Sequence, residues 1–252
     1  MIAQYNLFYL ITAVILALAP SFVWFFFYLK EDLHPEPKYW LLIIFLMGVT
    51  SAPLVIFLET LFVKFTEESV ISLWFGGAGL LLFLIAPLVE EITKYGVVHL
   101  TLNKNPILDE PADAMIYMIA AALGFAAIEN VIAIFATLPP TTPNVFGETI
   151  NFMSLRFVSA VALHGFASAI VGYFFALYYF KGGKIWRIFE GLIYAIALHS
   201  VYNSLIIRLD EPRALVMVGV ILGGAGILVL YLFNRLKYHT EYSAVNIDIG
   251  QS

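Results

Sequence analysis

Residues 113–138 read DAMIYMIAAALGFAAIENVIAIFATL, a run in which Glu129 is the only charged residue after Asp113. A bilayer core about 30 Å thick takes roughly 20 apolar helical residues per crossing, so this segment reads as a membrane span. Six further stretches read the same way: Leu7–Tyr28, Tyr39–Val63, Ala78–Leu100, Met153–Phe180, Arg187–Ile207 and Ala214–Asn234. The breaks carry turn chemistry: Pro35 and Pro37, Pro106 and Pro111, the Pro139-Pro140 pair, Gly182-Gly183, and Pro212. The apolar stretch Val70–Gly77 either extends the third span or lies at the interface.

Composition agrees. Hydrophobic residues make up 62% of the 252 and charged ones 12%, against about 45–50% and 25% in soluble domains. Thirty-one Asp, Glu, Lys and Arg cannot cover a soluble globule of this size. A net charge of −5 without a basic stripe excludes nucleic acid as a partner. With no cysteine there are no disulfides, thiolate ligands or thiol nucleophiles.

The expected fold is therefore all-α: one integral-membrane bundle of about seven spans over residues 1–234, with a short cytoplasmic tail over 235–252. The first span lacks a basic n-region and is too long for a cleavable signal peptide. Eight Lys and Arg residues (30, 38, 104, 181, 184, 187, 235 and 237) fall on one side of the spans. Three (64, 208 and 213) fall on the other. The excess of positive charge marks the cytoplasmic side, which puts the N-terminus outside and the C-terminus inside.

Charge within a span is costly and usually faces the bundle interior, where it marks a functional site. Glu59 and Glu190 lie near span ends, within reach of water, and Arg156 is close enough to an edge to snorkel. The remainder form three helical groups. Glu90 and Lys94 are four apart and share a helix face, with Glu91 about 100° round. One carboxylate can neutralise Lys94 and leave the other unpaired, which is expensive unless something uses it. Glu129 and Asn130 follow the small-residue stretch Gly124–Ala127. His164 is central in the fifth span, and His199 and Asn203 are one turn apart in the sixth. Counted from the outer span ends, His164, His199 and Glu90 fall at similar depth, with Glu129 and Asn203 roughly two turns nearer the outside.

Glutamates and neutral histidines around a wet pocket suit amide hydrolysis. A buried carboxylate with a raised pKa takes a proton from water, and histidine or Asn N–H groups hold the oxyanion. The same groups could ligate zinc, from among Glu90, Glu91, Glu129, His164 and His199, so the cofactor is either none or zinc. No H-E-x-x-H and no G-x-S-x-G is present.

The ordered motifs resemble the PrsW family of intramembrane proteases, part of a wider group with the type II CAAX prenyl endopeptidases and the scaffolding subunit of gamma-secretase. They are Pro35-Glu36-Pro37, Glu90-Glu91-Ile92-Thr93-Lys94, Asp109–Asp113 running on to Gly124–Asn130, then Arg156 with His164, and His199–Asn203. The resemblance implies a multi-pass protease of the cell membrane that cleaves a single-span membrane protein, for example a membrane-anchored anti-sigma factor. It implies that Glu90 is the water-activating base, with Glu91 and Lys94 its supporting pair and Glu129 a second acidic group. His164, His199 and Asn203 become the polarising and oxyanion-holding groups, with Asn130 and Arg156 supporting. Ala114 and Met118 stand where glycines are usual, and Ala133 where a tyrosine often follows the E-N pair, which touches packing and substrate range. Two other classes compete: a transporter or proton-coupled channel using the same ionisable residues as a relay, and a non-catalytic membrane scaffold. No inverted repeat supports the transporter.

Overall fold

A computed structural model describes residues 6–31, 34–67, 81–139 and 141–249. Among them every regular element is helical: α1 Leu7–Tyr28, α2 Lys38–Glu67, α3 Ala86–Leu102, α4 Pro111–Thr137, α5 Val145–Val158, α6 Ala160–Phe180, α7 Trp186–Arg208 and α8 Glu211–Ile249. Six helical runs are long and apolar enough to cross a bilayer, with α5 and α6 counted as one. The chain is a multi-pass membrane protein. The expected third span corresponds to α3, entered through a π-helical turn at Leu81–Ile85. It is 17 residues long and carries Glu90, Glu91 and Lys94, shorter and more charged than the six, yet it packs inside the bundle against α2, α4 and α7. The Val70–Gly77 stretch lies outside the described residues.

Two elements depart from expectation. The fifth span is two helices, broken at Ser159 (φ −118°, ψ −86°), whose hydroxyl donates to Leu155 O at 2.8 Å. Helix α5 also begins at Val145, ahead of the expected span start at Met153 and within the break that follows Pro139-Pro140. It is held to α1 by the hydroxyls of Tyr9 and Thr149 at 2.9 Å and by Trp24 Nε1 donating to Phe157 O at 2.8 Å. The last helix runs past Asn234 to Ile249.

Helix α4 is the axis of the bundle. It starts at Pro111, whose missing N–H costs nothing in the first turn. The Asp113 carboxylate accepts from the backbone N–H groups of Asp109 (3.0 Å) and Glu110 (2.7 Å). Eighteen of its 27 residues are buried, on all faces, as expected of a helix apolar all round. Helices α1, α2 and α6 cover it, while α1, α2, α7 and α8 turn large apolar side chains such as Phe8, Phe57, Ile193 and Ile227 outward.

Close approach of α2 and α4 depends on two glycines. A Cβ on Gly48 would overlap the Ala121 carbonyl oxygen, and one on Gly124 the Phe45 carbonyl oxygen. Small residues at such seams let membrane helices pack by van der Waals contact and weak Cα–H···O bonds. Ala114 sits against Gly172 of α6, where a Cβ would lie 2.7 Å from Ala114 O. The glycine usual at position 114 is thus matched by one on the facing helix. Gly124→Ala is expected to cost about 1–3 kcal/mol, read as a lowered unfolding temperature in detergent micelles, because backbone must move to admit the methyl.

One end of the bundle is tied by polar contacts: Lys237 to Glu31 at 2.7 Å, His34 to Glu110 at 2.8 Å, and the Tyr117 hydroxyl to Glu36. Gly182, with φ +59°, makes the left-handed turn from α6 towards α7 at a position that Gly adopts freely.

Candidate active site

Within α3 the i, i+3 and i, i+4 spacings bring both glutamates to one ammonium. Lys94 Nζ donates to Glu90 Oε2 (3.0 Å) and Glu91 Oε1 (2.9 Å), and lies 2.9 Å from Nδ1 of His164 on α6. An ammonium has three N–H bonds, and these three acceptors use them all. Nδ1 of His164 is therefore the acceptor, and its Nε2–H donates to Glu129 Oε2 on α4 at 2.6 Å. Lys94 also sits 4.5 Å over the Phe125 ring.

Glu91 is fully buried behind this centre. Its Oε2 accepts from Ser168 Oγ at 3.1 Å, and its Oε1 lies 3.2 Å from His199 Nδ1 on α7. A carboxylate can only accept, so Nδ1 of His199 carries a proton and donates it to Glu91. The His164 and His199 rings meet edge to face at 5.2 Å.

Arg156, read from sequence as able to snorkel, instead turns inward. Its Nε donates to Asn130 Oδ1 at 2.6 Å, and Nη2 lies 3.4 Å from Glu129 Oε1. Asn130 in turn donates to Ala17 O at 3.1 Å, tying the group to α1. The break at Ser159 lets α5 lean onto α1 while α6 stays central, and this aims Arg156 at α4.

A cavity of about 300 Å³ opens on this network. Glu90, Glu129, Arg156, His164, His199 and Asn203 line it; Glu91, Lys94 and Asn130 do not. The sequence-predicted set is thus gathered in one place but divided into a face and a backing. Glu129 is hydrogen-bonded to His164 rather than two turns away, because counting depth along each span ignores helix tilt and offset. Glu59, read as a water-reaching end residue, lines the same cavity, as does Tyr202. The one available signal for Glu59 was a carboxylate within an apolar run. Glu190 behaves as expected, pairing with Arg187 at 2.7 Å on the surface.

A metal is a real question for such a donor set. Ligand atoms of Glu90, Glu91, His164 and His199 all lie within 4.8 Å of one another, and two carboxylates with two imidazoles are donors that zinc accepts. Lys94 Nζ already bonds three of the four. With Lys94 in place, the donors left for a metal at the cavity face are Glu90 Oε1 and Nε2 of His199, with His164 joining only by giving up its bond to Lys94. A metal held there would lower the pKa of a bound water.

A helical membrane bundle with a buried glutamate–lysine–histidine network open to a cavity holds groups suited to hydrolysis within the membrane. The chain matches the family described as PrsW family intramembrane metalloprotease over residues 36–236, and it belongs to that family. It is 31% identical to Protease PrsW of Clostridioides difficile (strain 630) over 199 residues, 76% of this chain and 78% of that one. Protease PrsW of Geobacillus kaustophilus (strain HTA426) is 29% identical over 187 residues, 74% and 75% of the two chains. That of Bacillus subtilis (strain 168) is 24% identical over 189 residues, 74% and 78%. No solved structure matches.

Proposed function

We propose that this intramembrane protease hydrolyses a peptide bond of a single-span protein in the cell membrane, such as an anchored anti-sigma factor, with Glu90 as the base. The observation that carries the assignment is the asymmetry of the two adjacent glutamates. Glu90 gives one oxygen to Lys94 and faces the cavity, whereas Glu91 has both oxygens engaged and is sealed behind it. Glu90 Oε1 takes a proton from water as that oxygen attacks the carbonyl carbon, then returns it to the departing amine. Asn203 lines the cavity and donates to the oxyanion, and the Arg156 guanidinium, whose Nη2 is buried 3.4 Å from Glu129 Oε1, adds positive charge beside it. His164 spends both ring nitrogens on Lys94 and Glu129, so it positions those groups rather than donating to substrate. His199 lines the cavity, and its Nε2, when unprotonated, accepts a hydrogen bond from the attacking water. Residues 1–234 act as one membrane domain in this reading.

The test is mass-spectrometric detection of products from single-span peptides, with the purified chain reconstituted in liposomes. Wild type is expected to cleave, and His199→Gln to lose at least about 100-fold in rate. Equal turnover by both would remove His199 from the reaction. Running each with a chelator, then with zinc restored, separates direct activation of water by Glu90 from activation on a metal.

A further inference from the structure

A second cavity, a groove of about 560 Å³, runs between α6, α7 and α8. Tyr173 of α6, Tyr194 and Leu198 of α7, and Ile221, Gly224 and Arg235 of α8 are among its walls, and none of them lines the active-site cavity. Tyr194 and Tyr231 flank it and are exposed, so it opens to the bilayer. Its wall follows α8 from Ile221 to Arg235, about 21 Å at 1.5 Å per residue. Half the hydrocarbon of a bilayer is about 15 Å thick, so the groove is long enough for an acyl chain of one leaflet.

Gly224 stands within α8, where glycine is a poor helix former, and a Cβ on it would meet nothing within 4 Å. No described protein atom needs the space that its missing side chain leaves, and that space belongs to the groove. The end of the groove is basic. Arg235 lies in its wall, and Lys181 follows the last residue of α6. Desolvation and the Arg235 guanidinium together hold the Lys181 ammonium below its usual range, and Arg235 and Arg187 both act on Tyr173. No carboxylate pairs with Arg235 or Lys181 among the described residues; Glu190 is taken by Arg187 and Glu31 by Lys237, each at 2.7 Å. Two cations that crowd each other without an anion attract one.

We infer that this groove holds one anionic phospholipid, with an acyl chain along α8 and the headgroup phosphate against Arg235 and Lys181. An apolar trough that ends in unpaired basic side chains is complementary to such a lipid, and basic pockets between membrane helices recognise anionic headgroups in this way. A zwitterionic lipid gains the apolar contact but brings its own cation to the basic end. A second copy of the chain fits less well. Inserted in the same orientation, it would bring another Arg235 to the same end and add to the repulsion. The site is independent of the proteolytic reading.

The experiment uses the full chain in micelles, offered equal amounts of phosphatidylglycerol and phosphatidylcholine with the same acyl chains. Native mass spectrometry counts the lipid that stays bound. Wild type is expected to retain one phosphatidylglycerol with a preference of at least about tenfold, since each basic side chain contributes roughly a factor of five. Arg235→Gln should cut that preference about fivefold, and Lys181→Gln should do the same. Both side chains are exposed, which lets these variants fold. Gly224→Leu puts a side chain into the groove and should lose bound lipid of either kind. Arg213→Gln, at the opposite end of α8, should bind as wild type does. Equal retention of the two lipids by wild type would overturn the proposal, as would a preference that survives both Arg235→Gln and Gly224→Leu. A lipid-free dimer that Gly224→Leu converts to monomer would assign the groove to a second copy and overturn it too.

Discussion

Glu90→Gln is expected to slow peptide-bond cleavage by roughly 10²–10⁴-fold while leaving the unfolding temperature almost unchanged. The amide is nearly isosteric, and its oxygen can still accept from Lys94 as Glu90 Oε2 does at 3.0 Å. What disappears is the basic oxygen that faces the cavity, and with it the transfer of a proton from water, a step worth about that factor. Substrate binding should persist, so the loss falls on kcat rather than KM. Glu91→Gln makes the instructive contrast. Glu91 does not line the cavity, so its neutralisation acts by leaving Lys94 less compensated and by loosening His199. Part of its effect should therefore appear as lowered stability. Turnover by Glu90→Gln near that of wild type would overturn the assignment of the base.

Lys94→Met should be the most damaging single change to the fold, at about 3–5 kcal/mol. The ammonium is fully buried, and it is the shared donor of Glu90, Glu91 and His164. Removing it strands the Glu91 carboxylate where no water reaches, and it frees Nδ1 of His164, which disturbs the link to Glu129. Most of the cost is the uncompensated charge rather than the lost bonds. A second change that removes the charge should therefore restore part of it. The double variant Glu91→Gln/Lys94→Met is expected to be more stable than Lys94→Met alone, a non-additivity that denaturant titration in micelles would measure. Additive losses would show that Lys94 serves only as packing. Neither variant should cleave, because the single one disorders Glu90 and the double one also loosens His199.

Much of this protein is local, and local properties are legible in a chain of letters. Hydropathy over about 20 residues places the spans because the bilayer imposes a length on any helix that crosses it. Leu7–Tyr28 is recovered to the residue, and Pro111–Thr137 to within two. Spacing along a single helix is equally local: Glu90 and Lys94 had to share a face, as had His199 and Asn203, but the expectation that one of the two glutamates stays unpaired is corrected, because Lys94 donates to both. Ordered motifs supplied the family.

What one helix presents to another is not local. That Glu91 lies behind Lys94 and Glu90 in front follows from α6 and α7 closing on one side of α3. That Arg156 points to Glu129 instead of the membrane edge follows from the break at Ser159. Glu59 looked like an end residue because depth along its own span was all that could be counted, yet the packing of α2 brings it to the cavity. The sequence by itself determined that this is a helical membrane protein with a short set of buried ionisable residues, because insertion energetics and helical periodicity act within a segment. Only the tertiary structure decided which of those residues face substrate and which hold the others in place, because rotation, tilt and contact are settled between segments.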